Sequence, residues 1–235
     1  MESILSIKDL KKSFGEKQVV NGLSFDVNKG DILGFLGPNG AGKSTTINII
    51  SMLLDKESGE VLFEGKDIQK NNTEFKKSLG LVPQDIALFS DLTAYENVKF
   101  FCSLYGIKGT KLKERTRDAL EKVGLWNRKD DFPDSYSGGM KRRLNIACSI
   151  AHKPKLLIMD EPTVGIDPQS RNNILEVTRE LRDEGTTVIY TSHYMEEVEA
   201  ICSKIIIIDK GRVIEEGDKE EIKLKYKKHG LNNLE

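Results

Sequence analysis

Three short apolar runs constrain the fold of this chain more than any other feature: KLLIMD at 155–160, TTVIYTS at 186–192 and KIIIID at 204–209. Helical patterns separate them. Runs of this length, apolar at successive positions instead of alternate ones, suit strands covered on both faces, which is the signature of a buried parallel sheet. A chain of 235 residues is long enough to build such a sheet around a real core.

The preceding sequence supplies further elements. LSFDV alternates Leu23, Phe25 and Val27, and GEK makes a turn before it. DILGFLG then enters a glycine-rich stretch, and KSTTINIISMLL follows with Ile47, Ile50 and Leu54 on one helical face. Residues 31–54 therefore read as strand, glycine loop, helix. GEVLFEGKDI and KSLGLVPQ read as further strands or turns, and from 86 to about 153 the pattern is helical. No internal repeat or low-complexity linker is visible. The layout is an α/β sheet domain with a mainly helical insert.

The stretch GPNGAGKST, residues 37–45, fits G-x-x-x-x-G-K-[ST] with Gly37, Gly42, Lys43 and Ser44 in the fixed places. Glycines let successive backbone N–H groups curl around an anion, and the following helix presents its positive end. Lys43 then reaches the outer phosphates and the Ser44 hydroxyl is a ligand for Mg²⁺. With a strand before it and a helix after it, the loop reads as a nucleoside triphosphate site. KLLIMD leads into Asp160 and Glu161. Asp160, at a strand's carboxyl end, suits Mg²⁺ directly or through water. Glu161 suits the removal of a proton from an attacking water. Without the loop, the same pair reads as a solvated strand end.

In SYSGGMKRRLNIACSIA, Ser137, Gly138 and Gly139 precede a helix whose Leu144, Ala147, Cys148 and Ala151 share one face. Ser137 is either a plain helix cap or part of a second anion site at that helix's N-terminus. With the phosphate loop, Gln84 in LVPQD, YSGGM at 136–140, LLIMDEP, VGID at 164–167 and TSH with His193 in this order, the chain resembles the nucleotide-binding subunits of ATP-binding cassette (ABC) transporters. The resemblance spans about 4–218. GGMKRRL and SHYMEEVE are similar to the branch serving two-component exporters of drugs, ions or lipids.

That resemblance implies a P-loop NTPase fold: a RecA-like parallel sheet core, an N-terminal antiparallel β subdomain and an inserted α-helical subdomain. The implied divisions are 1–84 with 156–220 as the nucleotide-binding core, 85–155 as the helical part carrying the signature, and 221–235 as a polar tail. It implies ATP and Mg²⁺ as cofactors, with Gly37, Pro38, Asn39, Gly40, Ala41, Gly42, Lys43, Ser44 and Thr45 around the phosphates. Ser44, Gln84 and Asp160 would serve the metal. Glu161 would be the general base, with Lys43, Gln84 and His193 also catalytic. The family works as a head-to-tail dimer, a homodimer or pseudo-dimer, in which Ser137, Gly138 and Gly139 of one subunit close on the ATP held by the other. A separate transmembrane permease would be the partner. The chain would sit at the cytoplasmic face of the cell membrane through that permease.

Other readings stay open at single positions. Asp167 before Pro168 opens a helix with Ile174, Val177 and Leu181 on one face; it caps that helix, contacts the other subunit, or does both. Phe14 is a core residue or the adenine-stacking aromatic, for which the family usually has Tyr. His193 is otherwise a neutral loop histidine, and Trp126 and the cysteines read as packing. The lysines of KLKYKKHG read as a solvated face. Tyr136 and Met140 depart from the commonest signature, which has Leu and Gln there; Met cannot make an amide's hydrogen bonds.

Composition narrows the alternatives. The net charge is −1, so bulk charge does not argue for nucleic acid as a partner. No apolar run approaches the roughly 18 residues of a membrane span, and the N-terminus lacks the pattern of a signal peptide. The three cysteines, odd in number and far apart, suggest neither a disulfide framework nor a zinc site, and fit a reducing compartment. The competing function is an ABC-type ATPase acting on DNA or ribosomes. The segment between Lys43 and Asp160 has no sustained heptads, the chain has one cassette, and paired zinc cysteines are lacking. A GTPase reading fails because NKGD at 28–31 precedes the phosphate loop instead of following it.

Overall fold

The computed structural model describes residues 2–228, in two compact units. One takes the chain up to Lys76 and again from Thr187; the other is Lys77–Thr186.

The first unit opens with β1 (Ser3–Phe14) and β2 (Lys17–Asn28), antiparallel about a turn at Gly15. Val20, Leu23, Phe25 and Val27 of β2 are buried while Ser24 and Asp26 are exposed, the alternation a one-sided sheet requires. β3 (Ile32–Leu36) is buried throughout and leads through the glycine loop to α1 (Lys43–Ile50). This helix stops before Leu54, which its apolar spacing had included. Met52 adopts a left-handed φ of 59°, and the N–H groups of Leu53 and Leu54 both turn back to the Asn48 carbonyl. β4 (Ser58–Phe63) pairs with β1, and β5 (Lys66–Asp67) with β4, completing an antiparallel sheet ordered β2-β1-β4-β5. α2 (Asn72–Ser78) spans the division.

The second unit continues with β6 (Leu79–Val82), α3 (Ala94–Ser103), α4 (Gly109–Lys122), short turns at Trp126–Arg128 and Pro133–Ser135, and α5 (Gly138–Ile150). β7 (Leu156–Asp160), the KLLIMD run, pairs in parallel with β6, and α6 (Pro168–Asp183) follows. A capping box starts α3: Thr93 Oγ1 accepts from the Glu96 N–H, and Glu96 accepts from the Thr93 N–H. The buried Asn97 side chain bonds both backbone groups of Phe89 and the carbonyls of Leu92 and Thr93, which pins the loop before α3. α6 buries Ile174, Val177 and Leu181, each contributing about 1.5–3 kcal/mol.

The chain re-enters the first unit through β8 (Thr187–Thr191), α7 (Met195–Ile201), β9 (Lys204–Asp209), β10 (Arg212–Asp218) and α8 (Lys219–Lys228). β3 lies between β8 and β9 and runs parallel to both, so the TTVIYTS and KIIIID runs flank the strand that feeds the glycine loop. β10 closes that edge antiparallel to β9. All three cysteines are free and buried, and burial pushes the Cys202 thiol up to about 12. Trp126 is half-buried between Arg117 and Lys129. The tail anticipated at 221–235 begins within α8, where Ile222 is buried; 229–235 lie outside the described residues.

Candidate nucleotide site

The loop at the end of β3 has its shape because two of its glycines cannot be replaced. A Cβ on Gly37 would stand 2.3 Å from the Ile208 carbonyl oxygen. Gly42 has a φ of 103°, and a Cβ there would stand 2.8 Å from the Val19 oxygen. Neighbouring backbone holds the loop in place: Gly211 N–H donates to Ala41 O, and Asn21 N–H to Gly211 O. Gly42 is also the N-cap of α1, and having no side chain it leaves the helix's first N–H groups without a side-chain cap. Lys43 is buried and its ammonium donates to Gly37 O at 2.5 Å and Pro38 O at 3.2 Å, drawn across the loop. Thr46 Oγ1 bonds Gly42 O at 2.8 Å and fixes the first turn. Pro38, Asn39, Gly40 and Ser44 are exposed, Thr45 half-buried and Ala41 buried.

Phe14, at the end of β1, is 51% exposed with the Lys12 ammonium 5.6 Å from its ring centre. Exposure removes the reading of Phe14 as a core residue.

In the second unit β7 ends at Asp160, half-buried, and Glu161, 9% exposed with a left-handed φ of 47°. Gln84 follows β6, and its Nε2 donates to Glu161 Oε2 at 3.3 Å. The Gln84 backbone is held in turn by Arg142 of α5, whose guanidinium donates to Pro83 O at 2.7 Å and Gln84 O at 2.5 Å. Burial lowers the affinity of that guanidinium for its proton, with Asp85 opposing the effect.

Ser137 caps α5, its Oγ accepting from the Met140 N–H at 3.3 Å, yet Ser137 and Gly138 remain exposed. Gly139 is buried where α5 meets the start of α6: a Cβ there would lie 2.1 Å from Ser170 Oγ and 3.0 Å from Asp167 Oδ2. Asp167 caps α6 through Oδ1 and the Ser170 N–H at 2.9 Å, a bond that holds its carboxyl below the usual range. Tyr136, in place of the commoner leucine, is buried and donates its hydroxyl to Arg128 O at 2.5 Å, and Met140 is half-buried.

His193, back in the first unit, is exposed just beyond β8. Its neighbours are tied to Glu197, which is 1% exposed: Glu197 Oε2 accepts from Ser192 Oγ at 2.7 Å and Tyr190 OH at 3.0 Å, while Ser192 Oγ accepts the Tyr194 N–H. Sequence reasoning missed this anchor and missed Arg142. Glu197 left a signal, a charged residue at a core-facing helical position beside Val198 and Ile201, whereas Arg142 left none: it shares with Asn145 and Ser149 the polar face opposite Leu144, Ala147, Cys148 and Ala151, which reads as solvated.

The loop fits a phosphate chain, because it has a backbone cradle that Cβ atoms would fill, an uncapped helix N-terminus and a lysine drawn across it. Among the described residues no group of three or more His, Cys, Asp or Glu could hold a metal ion by itself.

A parallel α/β sheet whose strand feeds such a loop defines a P-loop nucleotide-binding protein. Comparison with known proteins narrows the class. The ABC transporter family model matches residues 20–164. Over 219 residues the chain is 52% identical to the linearmycin resistance ATP-binding protein LnrL of Bacillus subtilis, covering 93% of this chain and 70% of that one. It is 39% identical over 219 residues to the Nod factor export ATP-binding protein I of Ralstonia nicotianae, covering 93% and 68%. The solved structure of cbiO1 from Clostridium perfringens, part of the ABC transporter complex cbiONQ, matches with a TM-score of 0.85 at 30% identity, covering 96% and 95%. The chain belongs to the ABC transporter family, as one of its ATP-binding subunits. No described helix is long and apolar enough to cross a membrane.

Proposed function

We propose that the chain hydrolyses ATP to ADP and phosphate and thereby drives an exporter whose pore is a separate membrane-spanning protein. The observation that carries the hydrolytic reading is the Gln84–Glu161 contact: a nearly buried carboxylate at a strand's end, oriented by an amide. In this reading Lys43 and the N–H groups of 37–45 hold the β- and γ-phosphates, and Phe14 stacks on adenine. Ser44, Asp160 and Gln84 hold Mg²⁺, which when bound neutralises charge on the transferred group. Glu161 takes the proton of the attacking water, and His193 keeps water and phosphate in line. Ser137, Gly138 and Gly139 close on the nucleotide of a second ATPase subunit, identical or related, with Asp167 at the same interface. The dimer then forms with ATP and loosens after cleavage.

Residues 85–155 are the part that meets the membrane partner, and 1–84 with 156–220 are the catalytic core. An exposed apolar patch supports this. Ile86, Phe89, Phe100 and Leu104 are 39–64% exposed, and the rings of Phe89, Phe100 and Phe101 lie 5.1–5.8 Å apart. A short amphipathic helix of the partner fits such a surface. The ATPase would then be held at the cytoplasmic face of the membrane. The names of the relatives, in resistance and Nod factor export, support export as the direction.

Purification of the tagged chain from a detergent extract of its own cells tests the proposal. The expected result is co-recovery of a polytopic membrane protein. Recovery of ribosomes or DNA with no such protein defeats the transporter reading.

A further inference from the structure

One face of α5 is fastened to the segment that carries Gln84. Arg142, Asn145 and Ser149 recur at helical spacing, and each bonds that segment's backbone. Ser149 Oγ donates to Leu81 O at 2.7 Å, the two Arg142 bonds reach Pro83 O and Gln84 O, and Asn145 Oδ1 accepts the Ala87 N–H at 3.3 Å. Arg142 is 4% exposed and Asn145 2%. A packing role alone does not call for a charge here, since an apolar side chain of similar volume would avoid the desolvation cost. What the guanidinium supplies is a rigid planar fork with a separate nitrogen for each of two successive carbonyls, Nη1 to Pro83 O and Nη2 to Gln84 O, where a lysine has one ammonium on a flexible stem.

We infer that Arg142 is a positioning residue for Gln84: it locks the Pro83–Gln84 backbone to the helix that begins at Ser137, so that the Gln84 amide meets Glu161. This rests on the roles proposed above for Gln84, Glu161 and Ser137. In a dimer closed as proposed, the Ser137 end of α5 contacts the nucleotide held by the other copy, while Gln84 serves the nucleotide held by its own. Arg142 therefore links hydrolysis at one site to occupancy of the other.

A double-mutant cycle on the purified full chain separates this from a structural role. Gln84→Ala, Arg142→Met and the double variant are compared for kcat and, separately, for ATP affinity and melting temperature. Arg142→Met is expected to lower kcat by about 10–100-fold, as loss of a residue that orients a site group commonly does, with ATP affinity within about 2-fold of the parent. The double variant should be no slower than Gln84→Ala, because the arginine acts through that glutamine. Where Arg142→Met does not fold, Arg142→Lys, which keeps the charge and lacks the rigid fork, takes its place in the same cycle. Losses in kcat that multiply in the double variant, or that follow the melting temperature, overturn the inference. A Gln84→Ala variant with parental kcat overturns the reading beneath it as well.

Discussion

The side-chain amide of Gln84 lies 3.3 Å from the carboxylate of Glu161, joining two segments 77 positions apart in the second unit. Glu161 also keeps a left-handed φ of 47°, a conformation a glutamate holds only where its surroundings impose it. Contact and backbone together fix one carboxylate in one direction, which is what a proton acceptor needs.

Replacing Glu161 by Gln keeps the shape and removes the proposed base. Turnover should fall by at least about 10²-fold, with ATP binding retained, and a dimer should persist in ATP and Mg²⁺ on size-exclusion chromatography. Hydrolysis near the parental rate would show that another group is the base.

Ser137→Arg tests the proposed second anion site in that background. Ser137 is exposed, so the longer side chain fits the isolated subunit at little more than the loss of a cap, about 1 kcal/mol. The nucleotide-dependent dimer should be lost. An unchanged dimer removes 137–139 from the interface.

Phe14→Ala should leave the melting temperature nearly unchanged, because the ring is half exposed. ATP affinity should weaken by about 1–3 kcal/mol, the usual value of a stacked base, while affinity for inorganic triphosphate, which has no base, stays constant. Equal losses for both ligands would show that Phe14 shapes the loop instead.

His152 gives a prediction about acid stability. Its ring lies flat on Tyr105, centroids 3.5 Å apart, with Nε2 on Leu79 O at 3.0 Å, and burial lowers its pKa from 6.5 to about 4. Between these values the unfolded chain binds a proton that the folded chain refuses, so stability rises with pH across that window. It is complete above about 6.5 and lost as pH falls towards 4, by about 3 kcal/mol in all. Urea unfolding at pH 5 and pH 7.5 measures it, and His152→Gln should flatten the difference. An equal slope in the variant would assign the acid sensitivity elsewhere.

Gly139→Ala should destabilise by about 1–3 kcal/mol through overpacking, since the new methyl falls on Ser170. Adding Ser170→Gly clears the two Ser170 atoms it meets, leaving Asp167 Oδ2 at 3.0 Å, and should recover part of the loss in melting temperature.

Local chemistry was legible in the order of residues alone. Gly37, Gly42, Lys43 and Ser44 announce a phosphate loop because a tight backbone curl depends on neighbours a few positions away. Asp167 and Pro168 announce a helix start for the same reason, and the three apolar runs announce a parallel sheet because burial on both faces leaves no alternation. Long-range contacts were decided only in the folded molecule. The grip of Arg142 on the Gln84 segment joins positions 58 and 59 apart, and no periodicity encodes such a pairing. The exposure of Phe14 depends likewise on which surfaces meet. Hydrogen bonds and turns of a few residues are written in the chain, whereas the orientation of a catalytic side chain is set by distant segments packed around it.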